Sequence, residues 1–354
     1  MSKKACAQEC VLKKTSIGGQ ALIEGVMMRG PEKTAMAVRH TSGEIRTEEW
    51  ENPKKKPLFF AKWPLIRGLF GMVASLRIGY KCLMRSAELC GLEEELEDAM
   101  KKEETPVEET SAEESVVEEV ATEEVVAEEI PAEETPTKEE KKASTLMNIV
   151  MIVGVVLGVG LSLVLFMWLP IQLFNWLSLV APQLEDNRYL RGVFEGVVRI
   201  AIFLGYILLV SRMKDIRRTF QYHGAEHKSI FCYEKGLPLT VENVREQKRF
   251  HPRCGTSFLI LMLVVGIIIS ILIPITHPVW RTVVKLAMLP LTVGVGYELI
   301  KLAGRFDNWF TRLISAPGLW MQRITTLEPD DEMIECAITA LQAVIPEDPE
   351  ADKW

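Results

Sequence analysis

The stretch LMNIVMIVGVVLGVGLSLVLFMWL, residues 146–169, decides the class of this chain. Its 24 residues carry no charge, and a helix of that length crosses the hydrocarbon core of a bilayer. Pro170 marks where the span should close. Three further spans are predicted at 192–211, 255–275 and 282–303. The one at 255–275 is as apolar as the first. The second span holds Glu195 and Arg199, and the fourth holds Lys285, Pro290, Glu298 and Lys301. Both should therefore turn one side toward protein or a polar cavity, with Glu195 and Arg199 pairing at i,i+4.

Loop charges orient the spans. The 212–253 loop holds ten Lys and Arg residues, whereas 170–191 holds only Arg188 and Arg191, and 276–281 only Arg281. Lys and Arg collect on the cytoplasmic side, so both termini and the 212–253 loop are expected there. The chain reads as a multi-pass protein of the cell membrane, with the lipid bilayer as its partner. Nucleic acid is not expected, because the basic residues flank apolar spans and form no patch of their own.

The net charge of −7 over 354 residues conceals a partition. Residues 93–140 hold 21 acids and three lysines, so this segment is −18 and the remainder +11. Glu pairs recur every five residues from 103/104 to 133/134. Five matches neither the helix nor the strand period, so no apolar face can form. Residues 93–142 read as an extended, self-repelling tether, with an acidic tail for protein partners as the alternative. Seven scattered cysteines without a C-x-x-C pair point to reduced thiols. No cleaved signal peptide is expected, since no apolar core follows the basic first fourteen residues.

The flanking segments are shorter. Residues 15–57 look β-rich, with 35–39 and 44–50 flanking a turn at His40-Thr41-Ser42-Gly43. Residues 58–90 interleave Trp63, Leu65, Phe70, Val73 and Leu76 with Arg67, Arg77, Lys81 and Arg85, without an acid before residue 86. That pattern suits a basic amphipathic helix on the membrane surface, or equally a helix packed on the soluble part. In 304–346, Pro329-Asp330-Asp331-Glu332 caps a helix with Ile334, Ala337, Ile338 and Leu341 on one face. The expected fold is mainly α. A four-helix transmembrane bundle (146–303) carries a small cytoplasmic α+β domain built from the N- and C-terminal segments.

The sharpest chemical signal is His223-Gly224-Ala225-Glu226-His227, of the form H-x-x-E-H. Positions i and i+4 share a helix face, so His223 and His227 can hold one divalent metal, zinc by preference. Glu226 then stands where a catalytic base is needed. The plainer reading is two surface histidines near a helix end. A catalytic zinc needs a third protein ligand. Glu298, Cys254 and His251 are the candidates, and the sequence leaves all three open. Glu298 lies 71 residues after His227 and inside a span, where an interhelical ion pair with Arg199 or Arg305 is the alternative. Cys254 and His251 lie where the loop enters the third span. A separate glycine-rich stretch, residues 18–31, places the polar Gln20, Glu24 and Arg29 among apolar residues. It is not a dinucleotide fingerprint.

Six blocks in order resemble one family: GGQALIEGVMMRGP (18–31), YHGAEHKSIF (222–231), HPRCGTSF (251–258), YELIKLAGR (297–305), APGLWMQRITTLEPDD (316–331) and the amphipathic tail. They are similar to the YqhQ-like bacterial membrane proteins, a domain of unknown function described as predicted metal-dependent enzymes. The resemblance covers about 15–90 and 145–345, and the acidic repeat is this chain's own insertion. It implies an integral membrane protein with a cytoplasmic metal-site candidate, and no particular substrate. Two functions are expected from this. One is a membrane-embedded, metal-dependent hydrolase. The other is a non-catalytic assembly factor or regulator in which the His, Glu and Cys residues are structural.

Overall fold

The computed structural model describes residues 13–53, 59, 63–91, 153–184, 187–275, 277–306, 308–348 and 350–353. The acidic repeat at 93–142 and the start of the first span lie outside these residues. The chain divides into two units, one of Met1–Glu95 with Leu165–Trp354 and one of Leu96–Val164. The packing described below lies within the first.

The N-terminal part is a four-stranded antiparallel meander: β1 (Gly18–Leu22), β2 (Gly25–Arg29), β3 (Lys33–Arg39) and β4 (Ile45–Glu51), ordered β1-β2-β3-β4. The expected hairpin joins β3 to β4, with Arg39 opposite Ile45. Gly43 takes φ +89°, and its N–H donates to the His40 carbonyl at 2.8 Å. A left-handed turn residue of this kind favours glycine. The two central strands are buried on both faces, from Gly25 to Met28 and from Thr34 to Val38. They therefore read as apolar runs rather than as an alternating pattern.

Each face of the sheet has its own cover. Val26, Met28, Ala35 and Ala37 pack on α4 (Lys214–Glu234) and α10 (Asp331–Gln342) through Tyr222, Ala225, Ile230, Met333, Ile334, Ala337 and Leu341. Leu22, Met27, Met36 and Val38 pack on the C-terminal half of α1 (Ile66–Leu89) through Cys82 and on Cys90 just beyond it. Asp330 caps α10 by accepting from the Met333 N–H at 2.8 Å. The four residues expected on its inner face, Ile334, Ala337, Ile338 and Leu341, are all buried. The α+β part thus draws on α4 as well as on the two terminal segments.

Helix α1 packs on the soluble part, one of its two expected placements. Its C-terminal half is held on the sheet, and Arg67 near its start donates to Glu298. Phe70, Val73, Leu76 and Tyr80 on its other side remain exposed.

Three helices are long and apolar enough to cross a membrane: α2 (Val153–Val180), α3 (Arg188–Val210) and α6 (Gly255–Leu272). The pair α7 (Pro278–Ala287) and α8 (Leu289–Arg305) would make a fourth, bent by 47°. Short α5 (Val241–Arg245) and α9 (Trp309–Thr325) complete the elements among the described residues. Two expectations change here. Pro170 does not close the first span, which continues to Val180 after a π-helical turn at Val164–Trp168. Proline removes the N–H that the carbonyl four residues back would receive. That carbonyl, Phe166, accepts instead from Arg199 Nε at 2.7 Å. The fourth span is not continuous over 282–303 but breaks at Met288, with Pro290 in the first turn of α8.

Candidate metal centre

Helix α4 is buried from Tyr222 to Ile230, so its histidines are interior groups and not surface caps. Gly224 explains how they are reached. A Cβ there would lie 1.9 Å from the Leu327 carbonyl oxygen, so the chain leaving α9 passes directly over the helix. The Leu327 N–H donates to the Phe220 carbonyl at 2.9 Å and holds that crossing in place.

The crossing sets the first imidazole. His223 Nδ1 lies 2.9 Å from the Thr325 carbonyl oxygen, which can only accept, so Nδ1 carries the proton. Its Nε2 faces Cys254 Sγ at 3.1 Å. His227 is held in the same manner, with Nδ1 donating to the Arg249 carbonyl at 2.5 Å. Its Nε2 is buried without a hydrogen-bond partner. Both rings therefore have their outer nitrogen clamped by backbone and their inner nitrogen turned into the cluster, which is the usual orientation of metal-binding histidines.

Cys254 arrives from the third side as the N-cap of α6. The loop that brings it is fixed by Gln322, a fully buried amide. Gln322 Oε1 accepts from the His251 N–H at 2.7 Å. Its Nε2 donates to the His251 carbonyl at 2.7 Å and to Ser257 Oγ at 2.9 Å. The donor atoms of His223, His227 and Cys254 lie within 4.8 Å of one another, a group that could hold a metal ion. Zinc bonds of about 2.0–2.3 Å place such donors up to ~4 Å apart, so small side-chain rotations close the set.

Glu226 stands beside them. Its Oε2 is buried without a hydrogen-bond partner, 3.9 Å from His223 Nε2. Gly19 lets β1 approach it, since a Cβ at Gly19 would lie 2.9 Å from Glu226 Cγ. A cavity of about 100 Å³, lined by Gly19, Glu226, His227, His251 and Cys254 among others, adjoins the cluster.

Charge in the cluster is shared. Burial raises Glu226 above the ordinary carboxylate range. Burial also opposes charge on Cys254 and His223, but each overcomes it for the other. The two imidazoles hold Cys254 well below an ordinary thiol, and the Cys254 sulfur raises His223 to about 9. Without an ion, each thus favours the charged form of the other.

The other candidates are engaged elsewhere. Glu298 accepts from Arg67 Nε at 2.6 Å and from Arg67 Nη2. Its partner is thus a cation of α1 rather than Arg199 or Arg305. His251 turns Nε2 toward Glu234 and Arg253, at 3.8 and 3.3 Å. Glu24 accepts from Arg218 at 2.5 Å and from the Tyr222 hydroxyl at 3.2 Å, tying the β1–β2 turn to α4. Gln20 faces α1 at Gly79, and Arg29 lines a second cavity with it. Gln322, Thr325 and Gly19 were not singled out in the sequence. Gln322 lies inside the 316–331 block between Met321 and Arg323, and nothing local marks it.

Fold and site together define a mainly helical protein with three membrane-length helices, in which a small sheet and helix unit carries a His-His-Cys cluster. The chain belongs to a family catalogued as "Protein of unknown function (DUF1385)", whose model matches residues 63–347. It is 34% identical over 334 residues to the "Uncharacterized protein YqhQ" of Bacillus subtilis (strain 168), covering 93% of this chain and 92% of the relative. No solved structure matches it.

Proposed function

We propose that the chain is a multi-pass membrane protein that acts as a zinc-dependent hydrolase on the cytoplasmic side. His223, His227 and Cys254 are the ligands, and Glu226 is the base. One observation carries this reading: two buried imidazoles with clamped Nδ1 atoms converge on one thiol, beside a carboxylate oxygen that lacks any partner. With His251 turned toward Glu234 and Glu298 held by Arg67, three protein ligands remain, the number that leaves a fourth position open.

A divalent ion held there supplies Lewis acidity and lowers the pKa of water. Glu226, raised by burial, takes the proton of the attacking water and returns it to the leaving group. Glu226 is buried, with the Gly19 backbone against it, which limits bulk water at that carboxylate. The bent α7–α8 pair is the fourth span in this reading. The ten basic residues of 212–253 support a cytoplasmic position for the site and for both termini.

The test is metal analysis and turnover of purified full-length protein and its Glu226→Gln variant. The hydrolase reading expects about one zinc per chain in both, with turnover of a generic ester substrate lost only in the variant. Unchanged behaviour in Glu226→Gln, with metal retained, would instead mark a non-catalytic brace tying α4 to α6. Wild-type protein free of metal would remove both readings.

A further inference from the structure

A cavity larger than the one at the cluster lies elsewhere in the fold. It measures about 340 Å³ and lies between β1–β2 and α1, lined by Gln20, Met27, Arg29, Ser75 and Ile78 among others. Its size is that of a small-molecule site. Gly18 faces Arg29 across the strand pair and Gln20 faces Met27, so all four point to the α1 side of the sheet. Gly19, which touches Glu226, points to the other side. The two cavities nonetheless share Ser16, Gly18 and Gly19 as wall. They meet around the free edge of β1, where a Cβ on Gly18 would touch nothing.

Arg29 is the chemical content of this cavity. Among the described residues no carboxylate pairs with its guanidinium, and it is the one cation in the cavity lining. An arginine kept for a ligand matches an oxyanion, which its planar fork binds through two parallel bonds. The backbone of Arg29 lies roughly 10 Å or less from that of Gly19, by strand spacing and one Cα–Cα step. A substrate can thus place an anionic group on Arg29 and its reacting bond at Glu226. Helix α1 separates this cavity from an apolar surface: Ser75 and Ile78 line the cavity, and on the opposite side of the helix Val73, Leu76 and Tyr80 are each more than half exposed, a surface suited to lipid.

We infer that this cavity is an oxyanion subsite in which Arg29 binds the phosphate of a membrane-borne amphiphile, the substrate class of the cluster across the β1 edge. The inference rests on the hydrolase reading for its purpose, but its binding test does not. Full-length protein in detergent is titrated calorimetrically with inorganic phosphate and with dihexanoyl phosphatidic acid. Wild type should bind both, the lipid more tightly. Arg29→Gln should weaken both at least tenfold at unchanged zinc content, and Arg29→Lys should restore part of the loss. Ser75→Trp, which fills the cavity from α1 and leaves Arg29 in place, should weaken both as well. Equal binding of the two probes would overturn the lipid source. Binding that survives Arg29→Gln, or no binding by wild type, would overturn the subsite. His227→Ala separates the two readings. It should lose zinc and keep phosphate binding, so a failure of the metal reading appears in the metal content alone.

Discussion

Two clusters of buried charged and polar groups, one in the apolar helices and one in α4, obey opposite rules. In the helices, Glu195 is fully buried and accepts from Arg281 Nε at 3.1 Å, Lys285 Nζ at 2.5 Å and Arg199 Nη2 at 3.4 Å. The remaining guanidinium protons of Arg281 go to the carbonyls of Ser270, Ile273 and Ile275, at 3.1, 3.0 and 2.9 Å. In α4, by contrast, His227 Nε2 and Glu226 Oε2 are buried without a hydrogen-bond partner. A buried polar atom without a partner costs about 1–3 kcal/mol, so a protein that retains two side by side holds them for something that binds. Saturation marks a brace, and shared vacancy marks a site.

The largest effect should come from breaking the brace. Glu195→Gln leaves three cations among apolar helices without a counter-charge, at a cost of about 3–5 kcal/mol. Thermal unfolding in detergent should show a loss of stable protein. A variant as stable as wild type would erase the contrast between the clusters.

The second test addresses the site. His227→Ala should lower zinc affinity more than a hundredfold, beyond the 10–100-fold typical of residues that merely orient a ligand. Glu298→Ala, whose partner is Arg67, should keep the metal. The pH dependence has a definite sign. His223 carries its proton up to about 9 in the metal-free protein, and an ion must displace it. Affinity should therefore rise about tenfold per pH unit from 6 toward 9 and fall as pH drops. Competition against a chelator measures this. A curve already flat above pH 6.5, the value for a free imidazole, would show that the thiolate does not hold His223 charged.

The smallest effect tests the packing behind α4. Asp330→Ala removes the cap of α10 and should cost ~1 kcal/mol in chemical denaturation, without changing zinc content. A change in metal occupancy would mean that the crossing over Gly224 depends on this cap.

How much of this could be read beforehand follows from sequence distance. His223, Glu226 and His227 fall within one helical turn, so their spacing alone puts them together. The Glu195–Arg199 pair is legible for the same reason. Arg281 and Lys285 join Glu195 only because α7 packs back on α3, and nothing local signals that. The choice among Glu298, Cys254 and His251 failed to resolve on the same ground. It depends on Gln322, some seventy residues away, pinning the loop before α6. Pro170 misled because a proline ends a helix only when the orphaned carbonyl finds no other donor, and Arg199 supplies one.

Helix α6 has a mechanical consequence. Its first end carries Cys254, and the carbonyls at its last end are gripped by Arg281. Its 18 residues make a rod ~27 Å long. Pivoted at the gripped end, a tilt of only ~2° swings the sulfur by ~1 Å, twice the ~0.5 Å tolerance of a working constellation. Packing against α3, α8 and α9 sets that tilt. The lever therefore makes the fit of those helices a control on whether the sulfur is in range.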